Sequence, residues 1–98
     1  MNQNKYKQKG VRMITREVTV TNESGLHARP ATLVVKEAAN FKSSIHFLNN
    51  GKKANGKSIM GVLSLGMKKG TIIRIEIDGE DEAAAMDSII KLIETMEE

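Results

Sequence analysis

The segment Ser24-Gly25-Leu26-His27-Ala28-Arg29-Pro30 sets an imidazole two residues from a guanidinium, where loop chemistry gives way to helical spacing. Ala31, Val34, Val35 and Ala38 recur at i, i+3, i+4 and i+7, which predicts a helix from Ala28 to about Ala39 or Asn40. With His27 as N-cap, Ala28, Arg29 and Pro30 are the first three helical residues. Proline is tolerated there because first-turn N–H groups have no intrahelical partner. The remaining N–H groups and the helix dipole favour an anion at this end. Arg29 adds a fixed positive charge that can hold a phosphate through two N–H donors. A nucleophilic ring at such a site suits a transient phosphohistidine, because phosphoryl transfer depends mainly on positioning and electrostatics. The same residues also allow a plainer assignment, with His27 only a cap and Arg29 solvated.

The elements that must carry these residues can be read from the pattern of the chain. Ile14 to Thr21 alternates apolar and polar residues and predicts a strand, followed by the loop residues Asn22-Glu23-Ser24-Gly25. After the first helix, Ser44 to Leu48 is a short strand with Ile45 and Phe47 inward. Asn49-Asn50-Gly51 turns it into a second strand, Lys52 to Asn55. Ser58 to about Leu65 is a short helix with Ser58 as N-cap and Gly66 just past its end. Thr71 to Asp78 alternates Ile73, Ile75 and Ile77 with Arg74, Glu76 and Asp78, a half-buried strand. Asp81 is expected to cap a last helix, Glu82 to about Met96, whose inward stripe includes Ala85, Ile89 and Ile93. Glutamates at its C-terminal end (Glu94, Glu97, Glu98) oppose the dipole, so fraying is expected there. The order β-α-β-β-α-β-α predicts an α/β (α+β) fold: a two-layer open-faced sandwich, with a four-stranded, mostly antiparallel sheet and three helices on one face.

Ninety-eight residues make one domain, and the absence of cysteine excludes a disulfide scaffold, a thiolate metal site and a cysteine nucleophile. No apolar run is long enough for a membrane span or a secretory signal, so a cytoplasmic protein without membrane insertion is expected. The formal charge of +3 suggests nucleic acid as a partner. Four basic residues (Lys5, Lys7, Lys9 and Arg12) and no acid lie in residues 1–12, however; the rest holds eleven basic and twelve acidic side chains, a charge of −1. Residues 1–12 are expected to be a disordered basic extension and 13–98 the domain. With only Tyr6, Phe41 and Phe47 as aromatics, no base-stacking platform is expected, nor any direct contact with nucleic acid. His46 is expected to be exposed and inert. Lys52 and Lys53 are expected to form a solvated edge that discourages strand-to-strand aggregation.

Two segments together carry a family resemblance. Gly25-Leu26-His27-Ala28-Arg29-Pro30-Ala31 resembles the active-site signature of HPr, the histidine-containing phosphocarrier of the bacterial phosphoenolpyruvate:sugar phosphotransferase system. Lys57-Ser58-Ile59-Met60-Gly61-Val62-Leu63-Ser64-Leu65-Gly66 resembles the regulatory serine signature of the Gram-positive type. Ala38-Ala39-Asn40-Phe41 and Gly79-Glu80-Asp81-Glu82-Ala83 are similar as well, so the resemblance runs from about Met13 to Glu98.

The resemblance implies a carrier and not an enzyme, with no cofactor and no metal. His27 accepts a phosphoryl group on Nδ1 from phosphorylated enzyme I and passes it to the IIA domains of sugar permeases. Arg29 steadies the phosphate, and Ser24, Ala28 and Pro30 neighbour it. Ser58 is the target of an HPr kinase/phosphorylase, and the phosphoserine form works with a catabolite control protein. Thr32, Ile59, Met60 and Leu63 form the partner face, and the chain is a monomer. Leu63 stands where family members often carry methionine, a volume-conserving change, and residues 1–12 have no counterpart. The alternative is a regulatory HPr-like protein that signals through Ser58 to a catabolite transcription regulator without relaying phosphate.

Overall fold

The computed structural model describes residues 13–96. Its elements are β1 (Ile14–Thr19), α1 (Ala28–Ala38), β2 (Ser44–Asn49), β3 (Lys52–Asn55), α2 (Ile59–Ser64), β4 (Ile72–Asp78) and α3 (Glu82–Thr95). This is the expected order. The expected basic extension, residues 1–12, lies outside the described residues, as do 97–98, where fraying was expected.

The sheet runs β1-β4-β2-β3, and each of its three pairings is antiparallel. Alternation decides which face is buried. Val18 of β1, Ile45 and Phe47 of β2, Ala54 of β3, and Ile73, Ile75 and Ile77 of β4 all turn toward the helices. They meet Ala31, Val34, Val35 and Ala38 of α1, Val62 of α2, and Ala85, Met86, Ile89 and Ile93 of α3. Each fully buried Ile or Phe contributes roughly 1.5–3 kcal/mol, so this one layer of side chains dominates the stability of the fold. The opposite sheet face carries Glu17, Arg74, Glu76 and Lys53, and no helix among the described residues covers it. The β2–β3 hairpin closes through Asn50 at φ 53 and Gly51 at φ 79, the pair of positive angles that a two-residue hairpin loop requires.

Some local expectations need correction. β1 ends at Thr19 and not Thr21. Val20 is still buried, but its backbone bonds to the loop before β4, with its N–H on Thr71 O (2.8 Å) and its carbonyl accepting from Gly70 N (2.7 Å). His46 is half-buried, because β2 is an interior strand and places it between Glu76 and Asn55 of its neighbours. Lys53 is not merely solvated: its Nζ lies 3.4 Å from Glu76, whose side chain is only 16% exposed.

Asp81 occupies the N-cap position of α3, but its side chain makes no cap bond. Its carboxylate instead accepts from the backbone N–H of Lys42 (2.9 Å), the backbone N–H of Ser43 (2.9 Å) and the Ser43 hydroxyl, tying the start of α3 to the α1–β2 loop. The hydrogen bond from the Ser43 side chain, followed by that from the Lys42 backbone, lowers the Asp81 pKa from 3.8 to about 2. A group whose folded pKa lies below its unfolded value stabilises the fold above the unfolded pKa. That stabilisation is lost as the pH falls from about 4 to about 2. Urea unfolding between those pH values should therefore show a shallower fall in stability for Asp81→Asn than for wild type, with the variant less stable at neutral pH. Parallel curves would show that the clamp does not contribute.

Candidate functional site

His27 is held by a loop whose geometry is set on both sides. Asn22 is 3% exposed. Its Nδ2 donates to Gly25 O (2.6 Å), while its own carbonyl accepts from Gly25 N (3.1 Å). Gly25 has φ +71, and a Cβ built there would lie 2.7 Å from Met67 O and 2.8 Å from Lys68 Cα. Only glycine allows the loop to pass this close to the segment before β4. The next residue, Leu26, is buried and donates its N–H to Met67 O (2.8 Å). The chain then reaches the surface at His27.

His27 is the N-cap of α1 as expected, in extended conformation (φ −90, ψ −165), with its carbonyl accepting the first helical bond from Ala31 N (2.8 Å). Its ring is exposed and makes no side-chain cap bond. The imidazole is therefore not spent on holding the helix, which removes support for the cap-only assignment. No acidic side chain lies in the first turn of α1, so nothing there offsets the positive helix end. Arg29 is exposed on that turn, whereas Pro30 turns inward and is fully buried. Pro30 thus anchors the turn against the core. Thr32 is half-buried and donates its hydroxyl to Ala28 O (2.7 Å), a bond within α1.

Ser24, Ala28 and His27 share a shallow depression of about 270 Å³ with Leu63, Met67 and Lys68. A larger groove, of about 400 Å³, is lined by Glu17, Val18, Thr19, Thr21, Ile72 and Glu94, with no histidine and no basic side chain among them. Of the expected site residues, Ser24, His27, Ala28 and Leu63 therefore meet at one surface. Arg29, Pro30 and Thr32 lie on α1 beside it, and Ser58 is not among the lining residues.

Ser58 caps α2: its Oγ accepts from Gly61 N (3.0 Å) and its carbonyl accepts from Val62 N (3.0 Å). The helix is too short to bury every apolar side chain. Val62 enters the core, while Ile59 (40% exposed) and Met60 (78%) face solvent. Leu63 is half-buried against the core and also lines the His27 depression, so α2 joins the serine to the histidine surface through one side chain. Three residues of this region escape a sequence reading. Leu33, 47% exposed on α1, falls off the buried stripe and widens the apolar surface. Asn22 reads as ordinary turn chemistry, with nothing to mark its burial. Lys68 is far from His27 in sequence and is one of two adjacent lysines, with no signal to single it out.

Among the described residues, no helix is long and apolar enough to cross a membrane. The family model described as the PTS HPr component phosphorylation site matches residues 14–95. The phosphocarrier protein HPr of Xylella fastidiosa strain Temecula1 is 45% identical over 82 residues, covering 84% of this chain and 92% of the relative. The crystal structure of HPr from Bacillus anthracis superposes with a TM-score of 0.80 at 38% identity, covering 83% of this chain and 96% of that one. Crh, the catabolite repression protein of Bacillus subtilis, is similar at a TM-score of 0.69 and 38% identity, over 87% of this chain and 98% of that one. Its structure is a dimer with a swapping domain. The fold, the exposed histidine at a helix end and these matches lead to one conclusion: the chain belongs to the HPr family, the phosphocarriers of the phosphotransferase system.

Proposed function

We propose that this chain, in the cytoplasm, accepts a phosphoryl group on His27 Nδ1 from phosphorylated enzyme I and delivers it to the IIA domains of sugar permeases. The observation that carries this reading is the His27 ring itself, exposed at the N-terminus of α1 and unused as a cap. On acceptance one P–N bond forms at His27 Nδ1 as the donor's bond to phosphorus breaks, and the ring proton that His27 gives up goes to the departing donor group. On delivery the Nδ1–P bond breaks as the acceptor's bond to phosphorus forms, and His27 takes the acceptor's proton. Arg29 and the first-turn N–H groups stabilise the charge that arrives. Ser24 and Ala28 line the phosphate's surroundings, and Pro30 keeps the turn in place from below. Incubation with enzyme I and phosphoenolpyruvate tests the reading: an acid-labile phosphate on the wild-type chain is expected, and no labelling would overturn it.

Ser58 adds control. Its phosphorylation by an HPr kinase/phosphorylase would put a dianion at the N-cap of α2, where the Gly61 N–H already points at the side-chain oxygen. Helix α2 is then kept, and the effect falls on the adjoining face of Ile59, Met60 and Leu63, with Thr32 on α1 nearby in the docking surface. A charge at the edge of an apolar patch desolvates badly against an apolar partner and repels an acidic one. Ser58→Asp should raise the apparent KM for this chain in enzyme I labelling about tenfold, while Ser58→Ala leaves it unchanged and loses serine phosphorylation. An unchanged KM in Ser58→Asp would refute this switch.

The likeness to Crh supports a second reading, a regulator that signals through Ser58 to a catabolite control protein without relay. The presence of His27 favours the relay, since such relatives typically replace that histidine. Residues 13–98 are taken as the carrier domain, 1–12 as an appended basic segment, and the working form as a monomer. Light scattering at micromolar concentration tests the monomer.

A further inference from the structure

We propose that Lys68 is a second cation for the phosphoryl group at His27, a phosphate-binding residue supplied by the segment before β4. This rests on the reading of His27 as the phosphoryl acceptor. Lys68 and His27 line the same depression, although forty-one positions separate them in the chain. The approach is held by backbone geometry. Leu26 N–H donates to Met67 O (2.8 Å) on one side, and Gly70 N–H donates to Val20 O (2.7 Å) on the other. Between these ties, Lys68 O accepts from Thr71 N (3.0 Å) and Lys68 N–H donates to Thr71 Oγ1 (3.1 Å), which closes the turn. The missing side chain of Gly25 lets this turn reach the His27 loop, where a Cβ would meet Lys68 Cα at 2.8 Å. The base of the lysine is thus fixed beside the histidine loop, and its four-carbon stem can swing the ammonium across the depression.

The local charges favour the same assignment. Glu23, in the histidine loop, is the acid that would oppose an incoming phosphate, and Lys69 holds its carboxylate at 3.0 Å. Lys69 thus pairs with Glu23 at the surface. Lys68 is exposed and pairs with no carboxylate among the described residues. One lysine screens the unfavourable charge and the other faces the cleft. Arg29 belongs to the first turn of α1 and Lys68 to the segment before β4, so the two cations come from different elements.

The test is a ³¹P NMR pH titration of the full chain phosphorylated by enzyme I and phosphoenolpyruvate, comparing wild type, Lys68→Ala and Lys68→Arg. A cation beside the phosphohistidine opposes its protonation. Lys68→Ala should therefore raise the pH midpoint of the ³¹P shift by about 0.3–0.7 unit, a two- to fivefold effect typical of an exposed charge pair. Lys68→Arg should stay near wild type, and the difference should shrink in 1 M salt. The ratio of phosphorylated to free chain at equilibrium with enzyme I should fall two- to fivefold in Lys68→Ala. Lys42→Ala is the control, because it removes the same formal charge past the far end of α1, about 16 Å along an eleven-residue helix. A Lys68→Ala titration matching wild type, or an equal shift in Lys42→Ala, would overturn the proposal. Absence of acid-labile phosphate on the wild-type chain would instead overturn the His27 reading, and the role of Lys68 with it.

Discussion

His27→Ala should take no acid-labile phosphate from enzyme I and phosphoenolpyruvate, yet unfold in urea within about 0.5 kcal/mol of wild type. Both halves follow from the N-cap geometry. The ring is the imidazole at the end of α1, and neither the Ser24 hydroxyl nor the Arg29 guanidinium can replace its nitrogen as a reversible phosphoryl acceptor. Loss of labelling should therefore be complete. Stability should barely change, because the side chain makes no cap hydrogen bond and lies exposed. Replacement of a working N-cap residue by alanine costs about 1 kcal/mol, and that term is absent here. The bond that starts the helix, Ala31 N to His27 O, belongs to the backbone and survives the substitution. Residual acid-labile phosphate on the variant would show that another residue carries it. A loss of several kcal/mol would show that the ring has a structural role.

The second large effect is expected at a residue that touches no phosphate. Gly25→Ala should cost about 3 kcal/mol or more and lower the labelling rate at the same time. A left-handed angle is unfavourable for alanine by about 1–2 kcal/mol, and Gly25 sits at φ +71. The rest comes from contact. The new Cβ would be under 3.0 Å from Met67 O and Lys68 Cα, both backbone atoms that cannot rotate away. The histidine loop must then separate from the segment before β4, which breaks the Leu26 N to Met67 O bond and loosens Leu26 in the core. Gly51→Ala separates the two causes: it has a similar φ of +79 but nothing within 4 Å of the added carbon. It should lose only the conformational part, about 1 kcal/mol, with labelling intact. Equal losses in the two variants would show that strain alone, and not the close approach, sets the cost at Gly25.

Much of the molecule is legible in the sequence. The alternation through Ile73, Ile75 and Ile77 and the spacing of Ala31, Val34, Val35 and Ala38 mark the buried faces, because pleat and helix periods are properties of the backbone. All seven of those side chains are buried. Both N-cap positions are legible too: Ser58 caps with its side chain, and His27 is marked by the start of the apolar helical spacing after it. Asp81 shows the limit of that rule. Its position next to α3 marks it as a cap, but three donors from residues 42 and 43 take its carboxylate. A side chain goes to the best donors within reach, and those donors are brought by the fold.

What the sequence determined by itself is therefore local: the seven elements, their inward faces, the turn at Asn50-Gly51, and the pairing of an imidazole with a helix end. The tertiary structure decided the rest. It placed β4 between β1 and β2, so that strands far apart in the chain share the centre of the sheet. It brought Met67 and Lys68 against Gly25, gave Leu63 to the histidine surface, and half-covered His46 between two strands. These are contacts between distant segments, set by how the layers close over one core, and no local period encodes them. The chemistry proposed for His27 can be read from seven consecutive residues, but the surface around it belongs to the fold.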